Sequence, residues 1–256
     1  MQFLEKVFYV NPDNVISAWF VGVMGILAAT ITALVTIPQL IYVYKNKKIE
    51  NVNWISFWTF FFAITSWILL GSFLDNDGKG HKFVASVFAN IVCSIIYSFV
   101  LFFMYRYSTD IKHQKKQYFI LAITLTISIT ASILGMIGLY YPNGTKIGFT
   151  IPKLLGSFLL IIIPMATTFA FAPQVINDFQ SKTFKTLAPS QLIALIITNI
   201  TWLGYWFSLI VNSGIHEGLV ATITWQIISL SQFTLQFIFT IRYIKNKAKE
   251  TDNVQA

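Results

Sequence analysis

Two proline–glutamine pairs stand out in this sequence, and each lies in the last third of a long apolar run. They are Pro38-Gln39 and Pro173-Gln174, and no other Pro-Gln pair occurs among the seven prolines. Proline has no N–H, so within a helix it leaves the carbonyl four residues earlier unpaired, at Leu34 and Phe169, and it kinks the helix. The neighbouring glutamine supplies a donor and an acceptor that can stabilise the bend. The pairs therefore predict two hinges formed by Pro38, Gln39, Pro173 and Gln174.

The two pairs belong to an internal repeat. A shift of 135 residues brings Pro38-Gln39 onto Pro173-Gln174, Lys47 onto Lys182, and the pair Ser66-Trp67 onto Thr201-Trp202. Matches at one fixed offset without a gap indicate two copies of one structural unit.

Composition indicates a polytopic membrane protein. The chain of 256 residues is 55% apolar and 11% charged, against about 25% charged in soluble domains. Its charges are confined to short stretches between long apolar runs. The net charge of +8 is spread over separate loops, which argues against nucleic-acid binding. The single cysteine, Cys93, excludes a disulfide framework or a cysteine-based metal cluster. No catalytic constellation is present, so we expect neither an enzyme nor a cofactor.

Seven apolar segments reach the roughly 20 residues that a helix needs to cross a bilayer. They are predicted at 16–44, 55–74, 83–105, 118–140, 149–178, 190–211 and 219–241, after a short polar lead over residues 1–15. The first and fifth segments are the longest, which fits bent or tilted helices.

The lysine and arginine count predicts the orientation. Thirteen of these residues lie in the connections 45–48, 106–116 and 182–185 and in the tail 242–249. Five lie on the opposite side, namely Lys6, Lys79, Lys82, Lys146 and Lys153. The positive-inside rule then places the N-terminus outside and the C-terminus in the cytoplasm. We expect the plasma membrane rather than an organelle. On this topology the sequon at Asn143 lies outside.

The repeat and the orientation together predict the layout. Units of three spans joined directly would point in opposite directions, and one extra span makes them parallel. Segment 118–140 carries neither a Pro-Gln pair nor a hydroxyl–tryptophan pair, so it is the predicted linker helix. The expected fold is all-α, with three-helix repeats at 16–105 and 149–241 around a central cavity, in a single membrane domain.

This pattern of paired Pro-Gln motifs in a 3+1+3 layout resembles the PQ-loop repeat transporters, and among them the SWEET-type sugar transporters. The resemblance covers residues 16–241. It implies that Trp67 and Trp202, with the hydroxyl residues Ser66 and Thr201 before them, contribute to a substrate pocket. It also implies gate residues three positions after each tryptophan, which are Leu70 and Tyr205. The family has tyrosine at this gate position, so Leu70 is a departure.

Buried amides complete the predicted pocket. Asn90 lies midway along the third segment, where an amide either joins helices or lines a path. In SWEETs an asparagine on the third helix of each repeat faces the sugar, and Asn90 fits that role in the first repeat. In the second repeat the candidates are Thr224, Trp225 and Gln226, of which Gln226 carries the matching amide. Asn199 is a further polar candidate.

No Asp, Glu, His, Lys or Arg lies near the middle of any predicted span. A proton-coupled carrier usually needs such a residue, so the sequence favours passive transport of a neutral solute. The resemblance to SWEETs implies that this solute is a sugar. Two alternatives stay open. The first is a lysosomal-type PQ-loop amino-acid exporter: the missing mid-span acid counts against it, and Asp178, just after the second pair, keeps it open. A receptor of the same fold would bind a ligand without moving it.

Overall fold

The structure, a computed structural model, describes residues 1–8, 10–74, 82–140, 151–181, 184, 186–215 and 217–255. Several residues used above lie outside these ranges: Lys79, Asn143, Lys146, Lys182 and Lys185. The described chain folds into helices and contains no strand. The helices are α1 (Gln2–Phe8), α2 (Val15–Leu34), α3 (Ile37–Asn46), α4 (Trp54–Phe73), α5 (Val84–Arg106), α6 (Ile111–Gln114), α7 (Gln117–Tyr140), α8 (Lys153–Phe169), α9 (Ala172–Ser181), α10 (Pro189–Ser213) and α11 (Glu217–Gln255).

Seven spans in the described chain are long and apolar enough to cross a membrane, which confirms the all-α, seven-span fold. They are Val15–Asn46, Trp54–Phe73, Val84–Arg106, Gln117–Tyr140, Leu154–Ser181, Pro189–Ser213 and Leu219–Lys247. The protein is therefore an integral, multi-pass membrane protein. The first span combines α2 with α3, and the fifth combines α8 with α9.

Local signals in the sequence set the helix ends. The side chains of Asn14 and Asn53 accept hydrogen bonds from the N–H of Ser17 and Ser56, and so cap α2 and α4. Pro189 occupies the first turn of α10, where a missing N–H costs nothing. Gly214 ends α10 at a φ of 85°, a conformation that an L side chain rarely adopts.

Six of the spans form a ring. Each contacts the next in the order α2, α5, α4, α8, α11, α10 and back to α2. The shift of 135 residues relates α2 to α8, α4 to α10, and α5 to α11, so half a turn of the ring exchanges one repeat for the other. The seventh span, α7, packs outside this ring on α4 and α5. It can approach α4 closely because Gly135 has no side chain. A Cβ at this position would lie 2.6 Å from the side chain of Ile68.

Two segments differ from the sequence predictions. Residues 1–15 are not a polar lead, since Gln2–Phe8 is helical and buries Leu4 and Phe8. These residues are four positions apart and share one helix face, a signal too short to be conspicuous in the sequence. The last helix continues well beyond residue 241 to Gln255, because its lysine- and glutamate-containing tail favours helix and holds no proline or glycine stop.

Candidate functional site: a central cavity above a reciprocal glutamine clasp

Both Pro-Gln pairs lie at breaks in their spans. Helix α2 ends at Leu34 and α8 ends at Phe169, the residues whose carbonyls lose their partner to proline. A new helix begins in each case just before the proline, at Ile37 and at Ala172. Each span is thus divided into two helices separated by two residues. Each proline lies in the first turn of the second helix, where it is tolerated.

The first glutamine reaches across to the other repeat. Gln39 is buried, and its Nε2 donates to the carbonyl of Thr186 at 2.9 Å. Its Oε1 accepts from the N–H of Ala188 at 2.9 Å, and its own N–H donates to Oε1 of Gln191 at 3.3 Å. All three partners lie at the start of α10. This glutamine therefore fastens the first repeat to the second instead of bracing its own bend.

The second glutamine does the same in the opposite direction. Nε2 of Gln174 donates to the carbonyl of Asn51 at 3.1 Å, and its Oε1 accepts from the N–H of Asn53 at 2.6 Å. The N–H of Gln174 donates to Oγ of Ser56 at 2.9 Å. These partners lie at the start of α4 and fall at 135 residues before Thr186, Ala188 and Gln191. We call the two sets of bonds the glutamine clasp.

The clasp is asymmetric at one point. Nε2 of Gln174 also donates to Oδ1 of Asp178 at 2.7 Å, and this carboxylate is buried. The equivalent position in the first repeat is Val43, which is buried in the core. The second half of the clasp thus carries an acidic group that the first half lacks.

A cavity lies within the ring of helices, on the outer side of the clasp if the predicted orientation holds. Its empty volume is about 880 Å³, a figure that includes its open mouth. Its wall is made of uncharged residues: Thr32, Val35, Phe60, Ile64, Trp67, Phe83, Ser86, Asn90, Cys93, Pro164, Thr167, Thr168, Leu195, Thr198, Asn199, Trp202, Trp206, Thr222, Trp225, Gln226, Ser229 and Phe233.

The cavity wall follows the repeat. Five pairs of lining residues are related by the shift of 135 positions. They are Thr32 and Thr167, Phe60 and Leu195, Ile64 and Asn199, Trp67 and Trp202, and Asn90 and Trp225. Both repeats therefore contribute to the cavity, in part through equivalent positions.

Five of the predicted pocket residues line this cavity, namely Trp67, Asn90, Asn199, Trp202 and Gln226. Two others, Ser66 and Thr201, are not among the lining residues. The hydroxyl of Thr201 donates to the carbonyls of Ile197 and Thr198 in its own helix. The reason is geometric, since adjacent residues point about 100° apart around a helix and the tryptophan occupies the inner face.

The buried amides present acceptors. Nδ2 of Asn90 donates to the carbonyl of Ser86 at 2.8 Å, and Nδ2 of Asn199 donates to the carbonyl of Leu195 at 2.8 Å. No described residue donates a hydrogen bond to Oδ1 of either amide. Hydroxyl groups of a solute could therefore donate to these oxygens.

The two predicted gate residues lie beside the cavity and are buried. Leu70 packs with Leu74, Leu160 and Ile163. The Tyr205 ring meets the Trp202 ring edge-on, with centroids 5.5 Å apart. Both residues are in the half of their helix remote from the clasp, but neither lines the main cavity.

Sequence reasoning missed Trp206, whereas Trp225, one of the three candidates in the second repeat, lines the cavity beside Gln226. The Trp206 ring stacks on Trp202 with centroids 5.5 Å apart, and its Nε1 is buried with no partner among the described residues. Trp202 directs its own Nε1 to Oγ1 of Thr32 at 2.8 Å. Helical spacing, four residues from Trp202, could have identified Trp206.

Aromatic rings also separate the cavity from the clasp. Phe171, which lies two residues before Pro173, packs against Phe60 with centroids 5.1 Å apart and against Phe233 at 6.5 Å. Phe60 and Phe233 line the cavity, and Phe171 is buried behind them. We call these three residues the aromatic floor.

The fold and the site define a class: a seven-span membrane protein with a neutral cavity enclosed by two similar three-helix units. Comparison of the chain with models of protein families, with curated proteins and with solved structures gives no match. Any functional conclusion therefore stands on the residues described above.

Proposed function

We propose that this protein is a PQ-loop carrier of the SWEET type, which moves a small neutral solute, a sugar, by alternating access and without proton coupling. The observation that carries the proposal is the cavity wall. It combines four tryptophans with hydroxyl and amide groups, and none of its described residues is charged. Flat aromatic faces suit the C–H faces of a sugar ring, and neutral amides and hydroxyls suit its hydroxyl groups.

The clasp supports the alternating-access part of the proposal. Its bonds join the beginning of α10 to α3 and the beginning of α4 to α9 at a single end of the molecule. Opening that end separates these segments and breaks the bonds. The span breaks before Pro38 and Pro173 are the points at which α3 and α9 could swing while the longer helices keep their packing. On the predicted orientation, this is the cytoplasmic end of a plasma-membrane protein.

The proposal is tested by uptake into liposomes that contain the purified protein. We expect labelled D-glucose, D-galactose or sucrose to enter down its gradient, and labelled alanine, lysine and glutamate to be excluded. Trp67→Ala should reduce uptake because it removes a flat aromatic ring from the cavity wall. Trp19→Ala is the matched control, since Trp19 is 56% exposed on the outer surface of α2. Uptake of amino acids alone, or no effect of Trp67→Ala, would refute the proposal.

A PQ-loop amino-acid exporter driven by protons is the second candidate, and the observation that favours it is Asp178. This carboxylate is buried within the clasp, where protonation would alter its bond with Gln174. An imposed pH gradient separates the candidates. If it drives solute above equilibrium, and Asp178→Asn abolishes that accumulation, the exporter replaces the sugar carrier. If uptake is indifferent to the gradient, the exporter is excluded.

A further inference from the structure

We infer that the N-terminal helix α1 is a lid over the end of the cavity remote from the clasp, and that it must move before solute can pass that end. The short helix does not lie free on the surface. Leu4 and Phe8 are 4% and 2% exposed, and they pack with residues of α2 and α10.

Helix α2 has a groove that holds the apolar side chains of α1. A Cβ on Gly22 would lie 2.5 Å from Cδ2 of Leu4, and a Cβ on Gly25 would overlap the ring of Phe8. Two glycines on one face, three residues apart, thus provide the groove in which the two apolar side chains lie. A larger residue at either position would push α1 away from α2.

A small void lies between the lid and the cavity wall. It has an empty volume of about 190 Å³, and Phe83, Ser86, Trp202 and Trp206 line both it and the main cavity. On its far side the void is bounded by Val7 of α1 and by Tyr205. The side chains of Ser86 and Trp206 thus face the cavity on one side and, on the other, a void that α1 bounds.

Phe8 of the lid contacts Tyr205, the predicted gate residue of the second repeat. Its ring meets the Tyr205 ring edge-on with centroids 6.2 Å apart, and Tyr205 in turn packs on Trp206 at 4.7 Å. The segment after α1 is fastened as well, because the N–H of Asn11 donates to Oδ1 of Asn212 at 2.6 Å and Nδ2 of Asn212 donates to Oγ of Ser17 at 2.8 Å. Displacing α1 at Phe8 would remove this contact from Tyr205. The bonds of Asn212 would meanwhile keep the segment from Asn11 to Ser17 in place, so that α1 would turn about that segment.

The inference rests on the cavity being the transport path proposed above, but its test requires no transported solute. The reporter is Ser86→Cys in a Cys93→Ser background, because Ser86 lines both the void and the cavity. An impermeant methanethiosulfonate reagent is added on the side that α1 faces. We expect Leu4→Ala combined with Phe8→Ala to accelerate labelling about tenfold or more, since it removes both lid contacts. Glu5→Ala, which changes an exposed residue of α1, should leave the rate unchanged.

A second variant opens the lid without truncating it. Gly25→Ala places a methyl group against Phe8 and should accelerate labelling too. Gly138→Ala on α7, which crowds Ser72 and Phe73 of α4, should not. Thermal unfolding in detergent verifies that each protein is folded. If the α1 variants and Gly25→Ala are labelled at the rates of their controls, α1 is fixed packing and the inference is overturned. If the protein takes up no sugar in liposomes while the lid variants still accelerate labelling as expected, the proposed function is contradicted and the inference about α1 is not.

Discussion

Replacing Gln39 by methionine should open the clasp end of the molecule. Methionine has a similar length but cannot donate or accept as an amide does, so Gln39→Met removes the bonds to Thr186 and Ala188 without leaving a large hole. Each such bond contributes about 1 kcal/mol net, so two contribute about 2 kcal/mol. Because these bonds join the repeats only when this end is closed, their loss shifts the equilibrium toward the open state by about 30-fold.

The native protein contains its own reporter for this shift. Cys93 is the only cysteine in the sequence, lines the cavity and is buried. If the open state is a minor population, the rate at which an impermeant thiol reagent labels Cys93 from the clasp side is proportional to that population. We therefore expect Gln39→Met to accelerate labelling by about 30-fold, which is the shift worked out above. The N–H of Ala188 and the carbonyl of Thr186 would also lose their partners in the closed state, which would increase the open population further.

A matched control separates the clasp from the general loss of a hydrogen bond. Nε2 of Gln114 donates to the carbonyl of Ser108 at 2.7 Å, within the connection that leads to α7 and away from the contact between repeats. Gln114→Met removes a bond of the same kind and should leave Cys93 labelling unchanged. If Gln39→Met folds normally and labels Cys93 at the unmodified rate, the glutamine clasp does not hold this end closed and our reasoning is wrong.

Three further outcomes are expected. Pro38→Ala should restore an N–H toward the Leu34 carbonyl and straighten the span, so that thermal stability is kept or raised while transport falls; normal transport would reduce the proline to a packing feature. Asn90→Ala should weaken sugar binding by about 1–3 kcal/mol, measured by titration calorimetry, while Thr201→Ala, which changes a residue outside the cavity wall, should bind normally; equal losses would place the site elsewhere. With Cys93→Ser as background, Asn46→Cys should be inaccessible to an impermeant reagent outside intact cells, and its labelling there would reverse the assigned orientation.

Much of the fold could be predicted because the bilayer requires long apolar helices, and their lengths are visible in the sequence. The breaks at Leu34 and Phe169 were equally predictable, since they follow from the missing N–H of proline. The cavity tryptophans Trp67 and Trp202 could be found because a repeat brings equivalent residues to equivalent places.

The remaining features depend on contacts between segments that are far apart in the sequence. Gln39 was expected to brace its own bend, but its partners lie about 150 residues away, and no local pattern reveals a bond across that separation. The same holds for α1, whose role depends on Gly22 and Gly25 forming a groove. Ser66 and Thr201 were predicted to line the pocket because they share the repeat with the tryptophans, yet a shared repeat does not fix the side of the helix.

Access to the cavity from both sides in one preparation tests alternating access most directly. The reporter is Asn199→Cys in a Cys93→Ser background, because Asn199 lines the cavity and lies on a different helix from Cys93. An impermeant reagent is applied to right-side-out and to inside-out vesicles, with and without Gln39→Met. The account predicts that opening the clasp raises labelling from the clasp side and lowers it from the opposite side. A simultaneous rise on both sides, or no change on either, would contradict it.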